Sequence, residues 1–212
     1  MRRHIHRAAL LMAVAAGVAG STSCTSAVRQ GTGSSYLIIE NLEGVSGQSG
    51  DESSDLKSDV IAIVEQEING VTVRVPTIFE DGGLVSFRLG LKDAGPEGAP
   101  TTPTSNNFIT VNRYRVSYSR TDGRNTPGVD VPFPFEGAFT VTVGAGTAET
   151  GFILVRLQAK AEAPLMALRD GGGAFAISTI AEVTFYGQDQ TGHAVSATGR
   201  ISVNFADWAD ED

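Results

Sequence analysis

Residues 181–205 read AEVTFYGQDQTGHAVSATGRISVNF, two alternating runs on either side of a polar turn. Apolar residues alternate with polar ones from Ala181 to Phe185 and again from Val195 to Phe205. Because successive side chains of a β-strand point to opposite faces, a period of two predicts strands with one buried face each. The segment therefore predicts a long antiparallel hairpin that closes a β-sheet protein.

The same alternation recurs upstream of this hairpin. The Asn69-Gly70 pair lies between two β-branched runs, which predicts a two-residue hairpin turn. Within residues 108–119 the apolar positions change from odd to even numbers. Since a one-residue slip turns every side chain to the other face, we predict a β-bulge near Asn112-Arg113.

Signals for helix are almost absent. Residues 153–160 continue the alternation of a strand, and Pro164 is placed to open one short helical turn. About nine strands with little or no helix predict an all-β fold, either two packed antiparallel sheets or a barrel. The glycine content, 25 of 212 residues, agrees with many turns.

Two short segments resemble known β-sandwich families. Residues 181–205 are similar to the closing hairpin of bacterial immunoglobulin-like domains. Residues 113–118, followed by Asp122-Gly123, resemble a central strand of fibronectin type III domains. These resemblances imply an antiparallel immunoglobulin-like β-sandwich, which we assign to residues 35–206, with an acidic tail over 207–212.

The first 23 residues have the order of an export signal. Three arginines precede an apolar run of about thirteen residues, and small residues follow it. That run is shorter than the roughly twenty residues that a membrane-spanning helix needs. Residues 1–23 are therefore predicted to be a removable signal peptide.

Cys24 is the only cysteine of the chain and directly follows this signal. With Thr22 and Ser23 before it, the junction resembles a bacterial lipoprotein signal, whose cysteine is acylated after cleavage. The resemblance implies a lipid anchor on Cys24, a flexible tether over 24–34 and an outer-membrane or cell-surface location. Ser21 stands where such signals usually carry leucine, so cleavage to a soluble periplasmic or secreted protein is the alternative.

The charge of the exported part argues against two classes of partner. Beyond the first 23 residues, 24 acidic side chains face 13 basic ones, a net charge near −11. A surface of this sign repels phosphate backbones and anionic lipid headgroups. We therefore expect no nucleic-acid partner and no electrostatic docking to membranes.

Residues that carry catalytic or metal chemistry are scarce. His193 is the one histidine beyond the signal and lies beside a glycine turn, which favours a solvated hairpin residue. No Gly-x-Ser-x-Gly motif is present, so we expect no catalytic residues and no enzymatic activity. The acidic segments 51–55 and 207–212 lack the alternating order of a calcium loop. Neither a metal nor a cofactor is expected.

One aromatic segment offers candidate contacts. Residues 129–135 place Phe133 and Phe135 beside two prolines, a composition that belongs at a sheet edge or in a loop. The two rings either contact a partner or pack into the core. The sequence as a whole favours a non-enzymatic envelope lipoprotein with a structural or protein-binding sandwich. A carbohydrate-binding module is the alternative, so envelope proteins or glycans are the expected partners besides the membrane.

Overall fold

The computed structural model describes residues 33–169 and 175–208, and strands make up most of this part. It contains eleven strands: β1 (Ser35–Val45), β2 (Glu52–Ser53), β3 (Asp55–Asp59), β4 (Ala62–Ile68), β5 (Val71–Thr77), β6 (Asp81–Leu91), β7 (Ile109–Ser119), β8 (Phe135–Val143), β9 (Ala148–Val155), β10 (Ala176–Asp189) and β11 (Ala194–Ala206). The all-β prediction is confirmed. The count is eleven instead of about nine because β2 and β3 are short strands in a segment without clear alternation.

Nine of these strands form two sheets that pack as a sandwich. The first sheet has the order β2-β1-β6-β9 and the second the order β3-β11-β10-β7-β8. Neighbours are antiparallel except for β3, which runs parallel to β11. The inward residues of both sheets form one continuous hydrophobic core.

Aromatic rings join the two sheets across this core. The ring of Phe87 on β6 meets that of Phe185 on β10 edge to face, with centroids 4.9 Å apart. Tyr114 and Phe152 extend the contact, and both lie within 6.5 Å of Phe185. Such pairs contribute about 0.5–1.5 kcal/mol each beyond the area that they bury.

Two local predictions are confirmed. Asn69 and Gly70 form the turn between β4 and β5 with φ of 53° and 78°, the positive values that a two-residue hairpin turn requires. The register of β7 against β8 shifts between Val111 and Arg113, where the change of apolar phase predicts a bulge. The reversal of the pattern is thus absorbed by one extra residue, and both halves of β7 bury apolar side chains.

The strand predicted over 153–160 is confirmed up to Val155, and the prediction for 156–160 is wrong. Strand β9 ends at Val155, which pairs with Asp81, the first residue of β6, so no neighbouring strand extends further. The chain turns instead into the short helix α1 (Leu157–Ala161). The helical turn expected after Pro164 is present as a 3₁₀ helix over Leu165–Leu168. Another 3₁₀ turn covers Ser105–Asn107.

The strand registers define two ends of the sandwich. At one end, which we call the N-terminal pole because β1 begins there, Gly33 packs against the 189–193 turn. The Ser35 hydroxyl donates there to the carbonyl of Asn107. At the opposite end, β11 stops beside β3, and Ala206 pairs with Asp59. The chain then enters β4, so the hairpin of β4 and β5 leaves the sandwich at this second end. We call residues 62–77 the arm and this end the arm pole.

Among the described residues, no helix is both long and apolar enough to cross a membrane.

Candidate functional site

The arm is a two-stranded sheet of its own. Within the described part of the chain, β4 and β5 pair only with each other, from Ala62 opposite Thr77 to Ile68 opposite Val71. Residues opposite each other point to the same side of a hairpin. One side therefore carries mainly aliphatic residues, and the other carries Glu65, Glu67 and Arg74 at its centre.

The outer half of the arm is exposed on its aliphatic side. Ile68, Val71 and Val73 have 49%, 61% and 38% of their surface accessible. Two-stranded hairpins are marginally stable in water alone, and unpaired strand edges invite pairing with another chain. Contiguous exposed apolar patches are typical of protein–protein interaction sites.

The other exposed large apolar side chains are also concentrated at the arm pole. Across residues 33–169 and 175–208, Tyr36 is the one large apolar residue classed as exposed at the N-terminal pole. The arm pole carries six besides those of the arm: Val129, Phe133, Leu157, Met166, Phe175 and Ile180. The two ends of the molecule therefore present different surfaces, one rich in apolar groups and the other poor in them.

The two candidate phenylalanines differ in how far they are exposed to solvent. Phe133 lies in the loop between β7 and β8, is 51% exposed and packs against Gly128. Phe135 is only 8% exposed because its ring contacts Tyr114 and is covered by the guanidinium of Arg156, 4.4 Å from the ring centroid. Phe133 therefore presents ring surface to solvent, whereas Phe135 is a residue of the core.

A cleft of about 630 Å³ opens at the N-terminal pole. It lies between the first residues of β1, the bulge of β7, and the facing ends of β10 and β11. The larger polar and aromatic side chains that line it are those of Tyr36, Lys92, Asn112, Arg113, Tyr186 and Gln188. Rings together with amide and cationic groups form a lining suited to polar ligands with a flat apolar face.

Arg113 connects the cleft to the outer surface of the second sheet. Its guanidinium lies 4.2 Å from the ring centroid of Tyr186, and its Nη1 donates to Glu136 Oε2 at 2.9 Å. On the other wall, the ring of Tyr36 covers Gly90, where a Cβ atom would leave no room for it. Each ring therefore packs against a neighbouring group on one of its faces.

The turn that carries His193 is organised by a buried carboxylate. Asp189 Oδ1 accepts hydrogen bonds from the backbone N–H groups of Thr191 and His193 and from the Thr191 hydroxyl. Burial favours the neutral acid, but these hydrogen bonds outweigh it and lower the pKa of Asp189. The carboxylate of Asp189 therefore stabilises this turn.

His193 does not complete a nucleophilic relay. Its Nδ1 contacts both Thr191 Oγ1, at 2.6 Å, and Asp189 Oδ2, at 3.1 Å. A relay needs the carboxylate and the hydroxyl on different ring nitrogens, so that a proton can pass through the imidazole. The arrangement instead fits a structural turn at the mouth of the cleft.

The most unusual polar contact is buried at the arm pole. Lys160 of α1 and Asp81 of β6 form an ion pair with Nζ to Oδ2 at 2.8 Å, and their side chains are 1% and 3% exposed. Asp81 also accepts from the Ser58 hydroxyl at 2.6 Å and from the Gly47 N–H at 3.0 Å. Burial lowers the pKa of Lys160, and the charge of Asp81 opposes this effect.

Metal ligands are not grouped in the described residues, where no three His, Cys, Asp or Glu side chains could together hold an ion. The acidic segment 51–55 lies on β2 and β3 and in the turn before them. Cys24 lies outside the described residues, as do the signal peptide, most of the tether and residues 209–212 of the acidic tail.

Sequence reasoning missed the buried pair and most of the cleft. Lys160 is the one charged residue in LQAKA, and Asp81 precedes two glycines, and both are weak signals. The predicted bulge at Asn112-Arg113 was the one available pointer to the cleft, because bulges redirect side chains near binding sites.

The fold and its surfaces define an all-β sandwich with a projecting apolar arm. No family model matches the chain, and neither the curated proteins nor the solved structures contain a match.

Proposed function

We propose that this protein is a lipid-anchored, non-enzymatic component of the bacterial envelope that binds another protein through its arm pole. The anchor is the acylated Cys24 that follows the predicted signal peptide, at the outer membrane or cell surface. Residues 24–34 form the tether between anchor and sandwich. The observation that supports this proposal most strongly is the exposed aliphatic side of the arm, where Ile68, Val71 and Val73 are accessible to solvent.

The position of the arm supports this proposal. The tether enters at the N-terminal pole, beside Ser35, and the arm leaves at the opposite end. An anchored molecule would thus hold its apolar surface away from its attachment point. The arm tip bears Glu67 opposite Thr72 on its polar side, so the tip is amphipathic, as expected of a surface that alternates between water and a partner.

The proposed interaction is tested with arm variants that keep the hairpin. Val71→Thr combined with Val73→Thr retains β-branched side chains but adds a hydroxyl to the aliphatic side. Detergent-solubilised envelope should yield a specific co-purifying protein with the wild type and lose it with this double variant. Thr72→Val on the polar side is the matched control and should keep the partner. Equal recovery with all three proteins would contradict the proposal.

A second candidate function, carbohydrate binding, is favoured by the cleft. Its two tyrosine rings and its Asn112 and Gln188 amides are groups that stack on sugar rings and bond to their hydroxyls. A glycan array distinguishes the possible sites. Binding that is lost with Tyr36→Ala and kept with Phe133→Ala would support the cleft, whereas the reverse would support the loop ring. No binding to any glycan would eliminate this function.

A further inference from the structure

The buried pair of Lys160 and Asp81 joins two distant parts of the chain inside the sandwich. Asp81 begins β6, and Lys160 lies in α1 after β9. The Nζ and Oδ2 atoms are in hydrogen-bond contact at 2.8 Å. Isolated charges are costly in such surroundings, and even a paired ammonium and carboxylate keep a large desolvation penalty when buried.

We propose that Lys160 and Asp81 form an intramolecular amide bond, which makes this pair a site of spontaneous covalent cross-linking. The Nζ–Cγ bond forms, one Cγ–O bond of the carboxyl group breaks, and one water molecule is released. The ammonium and carboxylate together contain all the atoms of the amide and the water. The reaction is a condensation without oxidation or reduction and needs no co-reactant.

The surroundings of the carboxyl group favour this reaction. The Ser58 hydroxyl and the Gly47 N–H donate to the two oxygens of Asp81, so both oxygens are polarised. Donors placed in this way stabilise the negative charge that develops on oxygen when a nucleophile adds to the carbon. Ser58 is fully buried, which keeps its hydroxyl directed at the carboxyl group.

The surroundings of the amine favour it as well. Burial lowers the pKa of Lys160, which raises the share of the neutral, nucleophilic amine. Direct proton transfer from Nζ to Oδ2 would give the neutral amine and neutral acid that condense. The negative charges of Asp81 and Asp59 oppose the lowering of the Lys160 pKa, but burial outweighs them, and the remaining proton passes within the pair from nitrogen to the departing hydroxyl of Asp81.

The bond is detected by mass spectrometry of the purified full-length chain. A protease digest should contain one linked species that joins the peptides of Asp81 and Lys160, with their summed mass reduced by one water. The intact wild type should also be lighter by one water than the Lys160→Met variant, after correction for the substitution. Comparing intact masses in this way cancels any modification at the amino terminus.

Two further variants separate the chemistry from folding. Ser58→Ala keeps both reacting groups and removes one donor to Asp81, so it should fold and show a smaller linked fraction. Lys92→Met, at the N-terminal pole, should remain fully linked. Recovery of wild-type Lys160 and Asp81 in separate, unmodified peptides, with no water lost from the intact mass, would overturn the proposal and leave an ion pair.

Discussion

Individual buried polar groups make separable contributions to the stability of this sandwich. Tyr118 is 6% exposed, and its hydroxyl donates to the carbonyl of Leu154 on the opposite sheet at 2.5 Å. Burial raises the pKa of this phenol, so it stays neutral and keeps its proton. The hydroxyl therefore keeps its hydrogen bond between β7 and β9 at any pH at which the protein is folded.

Tyr118→Phe should therefore lower the free energy of unfolding by about 1 kcal/mol, because the Leu154 carbonyl loses its buried partner. Urea unfolding of the full chain measures the change. Tyr36→Phe is the matched control, since Tyr36 is 45% exposed, and should be neutral within about 0.5 kcal/mol. Equal losses in the two variants would show that the inter-sheet hydrogen bond is not formed.

The lowered pKa of Asp189 predicts that the 189–193 turn, at the mouth of the cleft, loses stability in acid. Because its folded-state pKa is lowered, its stabilising effect is complete above the unfolded value of about 3.9 and is lost as the pH falls through the folded-state pKa. Asp189→Asn should cost roughly 2 kcal/mol near neutral pH and less in acid. Unfolding curves at several pH values check this, with the exposed Asp51→Asn as control. A cost independent of pH would contradict it.

The residues of the buried pair show why the sequence could not reveal every site. In the alternating pattern of 153–160, Lys160 occupies a position that a strand would turn toward water. The chain instead turns into α1 at that point, and the lysine becomes 1% exposed. Local periodicity reports which side of an element is apolar, but it does not report that the neighbouring strand has ended.

Elements with strong local signals were predicted well. The turn at Asn69-Gly70, the bulge near Asn112-Arg113 and the closing hairpin of β10 and β11 follow from the backbone preferences and alternation of their own residues. The independence of the arm was not predictable in this way. Its alternation is that of any half-buried hairpin, and only the long-range pairing of other strands leaves it outside both sheets.

Gly70→Val should disturb the arm without unfolding the sandwich. Gly70 has φ of 78° and no atom within 4 Å of a Cβ position, so the cost is backbone strain and not a clash. A β-branched residue there should destabilise the arm by about 1 kcal/mol or more. Amide hydrogen exchange should rise in β4 and β5 and stay unchanged in β10.

Gly70→Asn is the control for this experiment, because asparagine tolerates positive φ better than other non-glycine residues. It should leave exchange in the arm close to that of the wild type. If Gly70→Val instead lowers the protection of the arm and the sandwich together, the arm belongs to the cooperative core. The account of a separable arm would then be wrong.

The two ends of the described sandwich differ from each other. The N-terminal pole holds the cleft and the entry of the tether, and the arm pole holds most of the exposed apolar side chains of the described residues. Alternation and charge predicted an acidic β-protein but not this division. The division depends on which strand ends meet, and strand pairing is a property of the folded chain.

The predicted lipid anchor determines where the whole molecule should be found in the cell. If Cys24 is acylated, the protein should remain with membranes in high salt, because buried lipid methylenes contribute ~0.8 kcal/mol each and are not screened. Cys24→Ser should release a folded, soluble domain, since residue 24 precedes the first strand. Fractionation of cells checks both proteins. Wild type that is wholly soluble, with an unmodified amino terminus, would contradict the anchor.

Photo-crosslinking in the cells that make the protein tests the proposed arm interface most directly. A photoreactive residue at Val71, at the tip of the arm, should yield one discrete protein adduct after illumination. The same residue at Ala145, exposed in the turn at the N-terminal pole, should yield none. An adduct at Val71 alone is the result that the account predicts. No adduct at Val71, or the same adduct at both positions, would contradict it.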